Sequence, residues 1–97
     1  MKYSLHPGAD FDLREAAKYY RKHGGNELAT IFLREFERVV HLLLDHPFLG
    51  AIWRHGKRRF ILKHFPYSVI YSANEQEIVV LAVARQSRHP EYWKNRK

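Results

Sequence analysis

"EIVVLAVAR", residues 77–85, is the stretch on which the fold turns. Its seven consecutive apolar residues, Ile78 to Ala84, leave no polar face, the pattern of a strand covered on both sides at the centre of a sheet. Working back along the chain, "YSVIYS" at 67–72 sets Tyr67, Val69 and Tyr71 against Ser68, Ile70 and Ser72. Before it, "RRFILKHF" at 58–65 sets Phe60 and Leu62 against Arg59, Ile61 and Lys63. Both segments have the period of two that belongs to strands. The short connections, "ANEQ" among them, predict three strands in an antiparallel meander.

Upstream of Gly50 the period changes to that of helices. Leu28, Ala29, Phe32, Phe36, Val39, Val40 and Leu43 fall on one stripe, and Ala9, Leu13, Ala16, Ala17 and Tyr20 on another. Between them stands "HGG" at 23–25, whose glycines suit a left-handed helix exit, followed by Asn26 as a cap. Asp12 with Glu15 resembles a capping box for the first helix, with Asp10 an equal candidate, and Pro47 ends the second. The pattern predicts two antiparallel helices joined by a turn of two to four residues. "KYSLH", residues 2–6, adds a short first strand ended by Pro7 and Gly8. The expected architecture is α+β: a short N-terminal strand and an antiparallel helix hairpin packed on a small antiparallel sheet, in the order β-α-α-β-β-β. One domain spans 1–97.

Composition bounds the function. The chain has no cysteine, so no disulfide framework or cysteine-based metal site is expected, in keeping with a reducing cytoplasm. No stretch approaches the ~20 apolar residues of a membrane span, and "MKYSLHPGADFDL" does not read as a signal peptide, so no membrane partner is expected. From Met1 to Trp53 there are seven Lys/Arg and seven Asp/Glu; from Arg54 to Lys97 there are ten and three. The entire net charge of +7 therefore lies in the second half. Such a one-sided field attracts nucleic acid, an acidic protein or an anionic surface. The seven histidines are scattered, with no HxxxH or HxH pair beside a carboxylate, so no metal is assigned. No glycine-rich phosphate loop or nucleophile triad appears, and no cofactor is expected.

"FPYSVIY" at 65–71, "IVVLAVAR" at 78–85 and "RHPEYW" at 88–93, following the two helical stripes, resemble the RelE/ParE superfamily of toxins from type II toxin–antitoxin modules, in particular its ParE-like, plasmid-stabilisation branch. The resemblance implies a growth inhibitor bound by a cognate antitoxin, with a possible higher-order toxin–antitoxin complex. It implies DNA gyrase as the leading target; the alternative is a RelE-like endoribonuclease that cuts messenger RNA on the ribosome. Many relatives carry histidine where this chain has Arg85. Because one scaffold hosts both activities, fold does not choose between an enzyme and a gyrase poison. A third reading is a non-toxic basic module that binds nucleic acid.

Attack of a 2′-hydroxyl on RNA needs a group to take a proton and cations to hold the phosphate. The candidates for that chemistry are Lys63, Arg85, Arg88 and Tyr92, with His64 and His89 as further proton-transfer groups. A free tyrosine ionises near pH 10, so neighbouring cations would have to depress Tyr92 before it served as a base. Lys63 and Arg85 sit on strands that neighbouring positions in a sheet would bring together. The residues expected to meet target or antitoxin are Arg59, Lys63, Arg85, Arg88 and Tyr92; the alternative for Arg85 and Arg88 is surface ion pairing. Lys57 and Arg58 read as a solvated loop. Pro90 is expected to turn the chain so that Trp93 packs on the sheet, while Tyr92 is open between packing and base stacking. Ile31, Leu33 and Leu42 lie off the helical stripe and suggest a face for an antitoxin helix or a second copy.

Overall fold

The computed structural model describes residues 1–96. Its elements are β1 (Lys2–Leu5), α1 (Pro7–Asp45), β2 (Ala51–Ile52), β3 (Arg58–Ile61), β4 (Tyr67–Ala73) and β5 (Glu77–Arg85), with one 3₁₀ turn at Arg54–Gly56. The apolar run that reads as a central strand is one. β5 has β4 on one side and β1 on the other, and the five strands run in the order β1-β5-β4-β3-β2. The β2, β3, β4 and β5 pairings are antiparallel, as the meander predicts. β1, however, joins β5 in parallel, from Lys2↔Glu77 to Leu5↔Val80. The sheet is therefore mixed and not purely antiparallel: α1 and the whole β2–β4 meander lie between β1 and β5, so no hairpin turn imposes an antiparallel pairing on them.

Two expected boundaries are corrected. β3 stops at Ile61, so Lys63 lies beyond the strand, in the bend where His64 takes φ 69°. The two-residue strand β2, which carries no sequence signal of its own, pairs Ala51 with Arg59 and Ile52 with Arg58. Arg58 is not part of a solvated loop. Its guanidinium donates to the carbonyls of Phe48 at 3.0 Å and Gly50 at 2.8 Å, tying the loop after the helix to the sheet. The Tyr71 hydroxyl completes that tie, donating to the Pro47 carbonyl and accepting from the Gly50 N–H, each at 2.9 Å. A Cβ at Gly50 would lie 2.6 Å from that hydroxyl.

The two helices expected with a separate turn and caps are instead one helical element broken at a single residue. Gly25 alone leaves helical geometry, at φ 74° and ψ −177°, a region open essentially to glycine. A straight helix of 39 residues would be about 58 Å long, whereas the molecule's longest dimension is 38 Å. The element bends sharply at Gly25 and brings Tyr20 onto Phe32, ring centroids 5.1 Å apart. Both predicted stripes then face one side of the sheet, where Ala16, Tyr20, Phe32, Phe36, Val39 and Leu43 are buried with Val69, Tyr71, Ile78, Val80 and Val83. At the start of α1 the side chain of His6 accepts the Gly8 N–H at 2.9 Å and Pro7 fills the first helical position. Neither Asp10 nor Asp12 caps.

The second face of the sheet is covered as well. Trp93, 2% exposed, packs with Ile70 and Ala82, flanked by Trp53, Ala84 and Tyr92. This cover is why Ser68 and Ile70, the set opposed to Tyr67 and Val69 in the alternating pattern, are as buried as their neighbours.

Candidate functional site

The C-terminal segment lies on the face of the sheet away from the helix and meets the helix at the edge of β5. β1 is too short to pair with the whole of that edge: its register ends at Val80. Beyond it, backbone groups of β5 need other partners. Asp12 supplies one, its carboxylate accepting the Val83 N–H at 3.1 Å. Arg96 supplies another, donating to the Leu81 carbonyl at 3.0 Å. The two side chains also meet each other at 2.7 Å, with Asp12 3% and Arg96 17% exposed, and the Tyr92 hydroxyl donates to the same carboxylate at 2.9 Å. Asp12 is thus the buried hub that fastens the C-terminal segment to the fold through Tyr92 and Arg96. Its signal was present in the sequence: it stands three residues after Ala9 and four before Ala16, on the buried stripe.

The hub decides the chemistry of Tyr92. Burial, and then the Asp12 carboxylate beside it, push its phenol well above the ordinary tyrosine range, against the smaller opposing pull of Arg96 and Arg88. A base would need the reverse. The environment of Tyr92 does not supply what the expected proton abstraction needs: the ring packs in the second core and its hydroxyl donates to Asp12.

Fastened this way, residues 86–93 form one wall of a cleft of about 240 Å³ on the face away from the helix. Its other lining residues include Arg59 and Trp53 from the β2–β3 region and Ser68 and Ile70 from β4. Arg59, Arg85 and Arg88 all line it, so three of the predicted site residues are brought together. Each guanidinium lies over an aromatic ring: Arg59 over Trp53 at 3.7 Å, Arg88 over Tyr92 at 3.8 Å and Arg85 over Tyr19 at 5.1 Å. Stacking holds a guanidinium in place while leaving its edge N–H groups to donate. Among the described residues the ion pairs are Arg14–Asp10, Arg38–Glu35, His55–Glu91 and Arg96–Asp12, and none engages the three cleft arginines. The expected alternative of ion pairing at Arg85 and Arg88 is not what the described residues display. Lys63 is elsewhere. It lines a depression of about 500 Å³ against the helix, with Leu28, Ile31, Arg34, Arg38 and Phe65. Its backbone N–H is held by Glu35 at 2.9 Å, and that carboxylate is lowered below its usual range by the Arg38 hydrogen bond first.

One side of the molecule thus presents a stacked arginine cleft, and the other an apolar depression rimmed by cations. Two-face cover of a five-stranded mixed sheet, with one helical element inserted between the outer strand and the rest, defines a ParE-like α+β fold. The chain matches the model of the ParE toxin of the type II toxin–antitoxin system, parDE, over residues 3–90, and it belongs to that family. A solved structure of the chromosomal ParDE TA system from P. aeruginosa has the same fold, at a TM-score of 0.77 and 23% identity, covering 88% of this chain and 95% of that one. A curated, uncharacterised protein of Mycoplasma pneumoniae is 45% identical over 40 residues, which are 41% of this chain and 14% of that protein. The chain spans only that small part of its length.

Proposed function

We propose that this ParE-family toxin arrests growth by acting on DNA gyrase and is neutralised by a cognate antitoxin. The observation that carries the choice of target is the separation of the residues an RNA-cleaving site would need. Lys63 lies in a different depression from Arg85 and Arg88, and the phenol of Tyr92 is bound to Asp12. The cleft of Arg59, Arg85 and Arg88 holds one proton-transfer candidate, His89, whose Nδ1 accepts the Glu91 N–H at 3.2 Å, and no second acid–base group beside it, which favours binding a target over cutting RNA. The helix-side depression favours an antitoxin: Ile31 is 48% exposed there, and Arg34, Arg38 and Lys63 rim an apolar floor. That combination fits an acidic amphipathic segment.

The test is direct. Purified toxin should inhibit supercoiling of relaxed plasmid by gyrase, expression should arrest growth, and co-expression of the neighbouring small gene should restore it. Cleavage of messenger RNA on ribosomes by the purified protein, abolished in Arg85→Ala, would replace the gyrase reading with the endoribonuclease one.

A further inference from the structure

The depressions on the two faces differ in their carboxylates. Those against the helix mix both signs: Asp12 and Glu15 line one together with Arg85 and Arg88, and Glu35 lines the other with Arg34, Arg38 and Lys63. On the far face, the arginine cleft is accompanied by a second depression. The second, of about 400 Å³, is lined by His55, Lys57, Lys94 and Arg96 over a floor of Ser72, Val79 and Leu81. Neither far-face depression has a carboxylate among its described lining residues, although Asp12 and Glu91 engage Arg96 and His55 from outside and leave Lys57 and Lys94 as the cations of the second that are unpaired among the described residues. They draw on both sides of the C-terminal segment: Arg88 and Trp93 line one, Lys94 and Arg96 the other. We propose that this whole face is a docking surface for duplex DNA, gripping its phosphodiester backbone in both depressions.

The distribution of the charge argues for a polyanion. A small anion is held by groups that converge, whereas these cations are dealt out over two sites. Duplex DNA presents one charge per about 1.7 Å of axis and meets such a spread array along its length. Stacked arginines suit phosphate because the planar fork donates two parallel hydrogen bonds. The lining also favours nucleic acid as the direct occupant of this face, with gyrase reached through the DNA it holds. Interfaces between proteins are anchored by exposed apolar or aromatic side chains, but Ile70, Leu81 and Trp93 under these depressions are 1%, 3% and 2% exposed. Ile61, half exposed at the rim of the arginine cleft, and the partly buried Trp53 beneath Arg59 depart from this. The inference deepens the gyrase reading, since a toxin seated on gyrase would meet the DNA that gyrase holds, but binding by the free toxin does not depend on it.

The experiment is fluorescence anisotropy with a labelled 20-base-pair duplex; the molecule's longest dimension, 38 Å, covers about eleven base pairs at roughly 3.4 Å each. Three paired variants remove equal charge: Arg85→Ala with Arg88→Ala, Lys57→Ala with Lys94→Ala, and on the helix Lys18→Ala with Lys22→Ala. Circular dichroism melts confirm that each folds. The first two pairs should each weaken binding about tenfold at ~100 mM salt and flatten the dependence of log K on log salt by about one to two units. The helix pair should change affinity less than about twofold. Equal losses in all three would reduce the effect to net charge and overturn the surface. Absence of saturable binding at ~50 mM salt, or tighter binding to single-stranded RNA of equal length, would overturn it too. Supercoiling inhibition retained by far-face variants that have lost DNA binding would support the docking surface while showing that gyrase inhibition does not use it.

Discussion

Three donors converge on the buried Asp12, one from β5 and two from the C-terminal segment. Asp12→Ala would strand the part-buried Arg96 guanidinium and leave the Tyr92 hydroxyl and the Val83 N–H without their partner. Breaking a buried pair in this way costs about 3–5 kcal/mol, a loss that urea denaturation would measure. Tyr92→Phe is milder: it removes one hydrogen bond to a charged acceptor, worth about 1.5–3 kcal/mol. The variant should also change the alkaline limb of the stability curve. The folded phenol holds its proton more tightly than an unfolded one does. Its contribution is complete below the unfolded value of about 10 and is lost as pH rises beyond it. Stability of the native protein should therefore fall above pH ~10, and Tyr92→Phe should fall less steeply, with Tyr20 and Tyr71, also raised by burial, supplying the remainder. Trp93→Ala should cost about 3–5 kcal/mol for a ring 2% exposed. Arg85→Ala and Arg88→Ala should leave the melting temperature nearly unchanged, since both are exposed and unpaired among the described residues.

At the scale of elements, α1 depends on one backbone conformation. Gly25 has open space around it: a Cβ there would meet nothing within 4 Å. The constraint is the dihedral angle alone. Gly25→Ala should destabilise by about 1–3 kcal/mol, the cost of holding a non-glycine residue in that region, without disturbing any packing contact. If calorimetry gave the variant native stability, the break would have to be able to move to Gly24, where a Cβ would lie 2.4 Å from Leu28. The C-terminal segment behaves as an element too, although it contains no helix or strand. Asp12 holds it from the helix side and the His55–Glu91 contact at 2.6 Å from the loop side. Just before these ties it presents Arg88 to the cleft.

Across the whole molecule, the two faces separate two kinds of contact. The helix side offers exposed Ile31 among cations, and the far side offers cations over a buried floor. Mutations should then split the activities. Ile31→Glu places a carboxylate in the depression assigned to the antitoxin, and should weaken antitoxin binding by about tenfold or more through lost apolar contact and like-charge repulsion. Inhibition of gyrase should be unaffected, since no far-face residue is touched. Titration calorimetry with the antitoxin and a supercoiling assay on the same protein check both halves.

The strands and helical stripes were legible in the residues because each follows a local period: the apolar run at 78–84, the alternation at 67–72 and the 3/4 spacing from Leu28 to Leu43 are properties of short windows. The glycine break at residues 24–25 was legible for the same reason, and so was the packing of Trp93 behind Pro90. The asymmetry of charge, with its excess after Trp53, also needed no coordinates. What the tertiary structure decided are facts about residues far apart in sequence. β1 pairs parallel with a strand some seventy-five residues later, and Asp12 binds groups 71 to 84 residues away. Those partners turn a capping candidate into a buried hub and a candidate base into an anchor. They also gather Arg59, Arg85 and Arg88 while leaving Lys63 outside, because the strand ends at Ile61 and the chain bends before Lys63 reaches the shared face. Periodicity fixes which face a side chain takes within its own element; only the pairing of elements, and the backbone groups a short β1 leaves open, determines what that face meets.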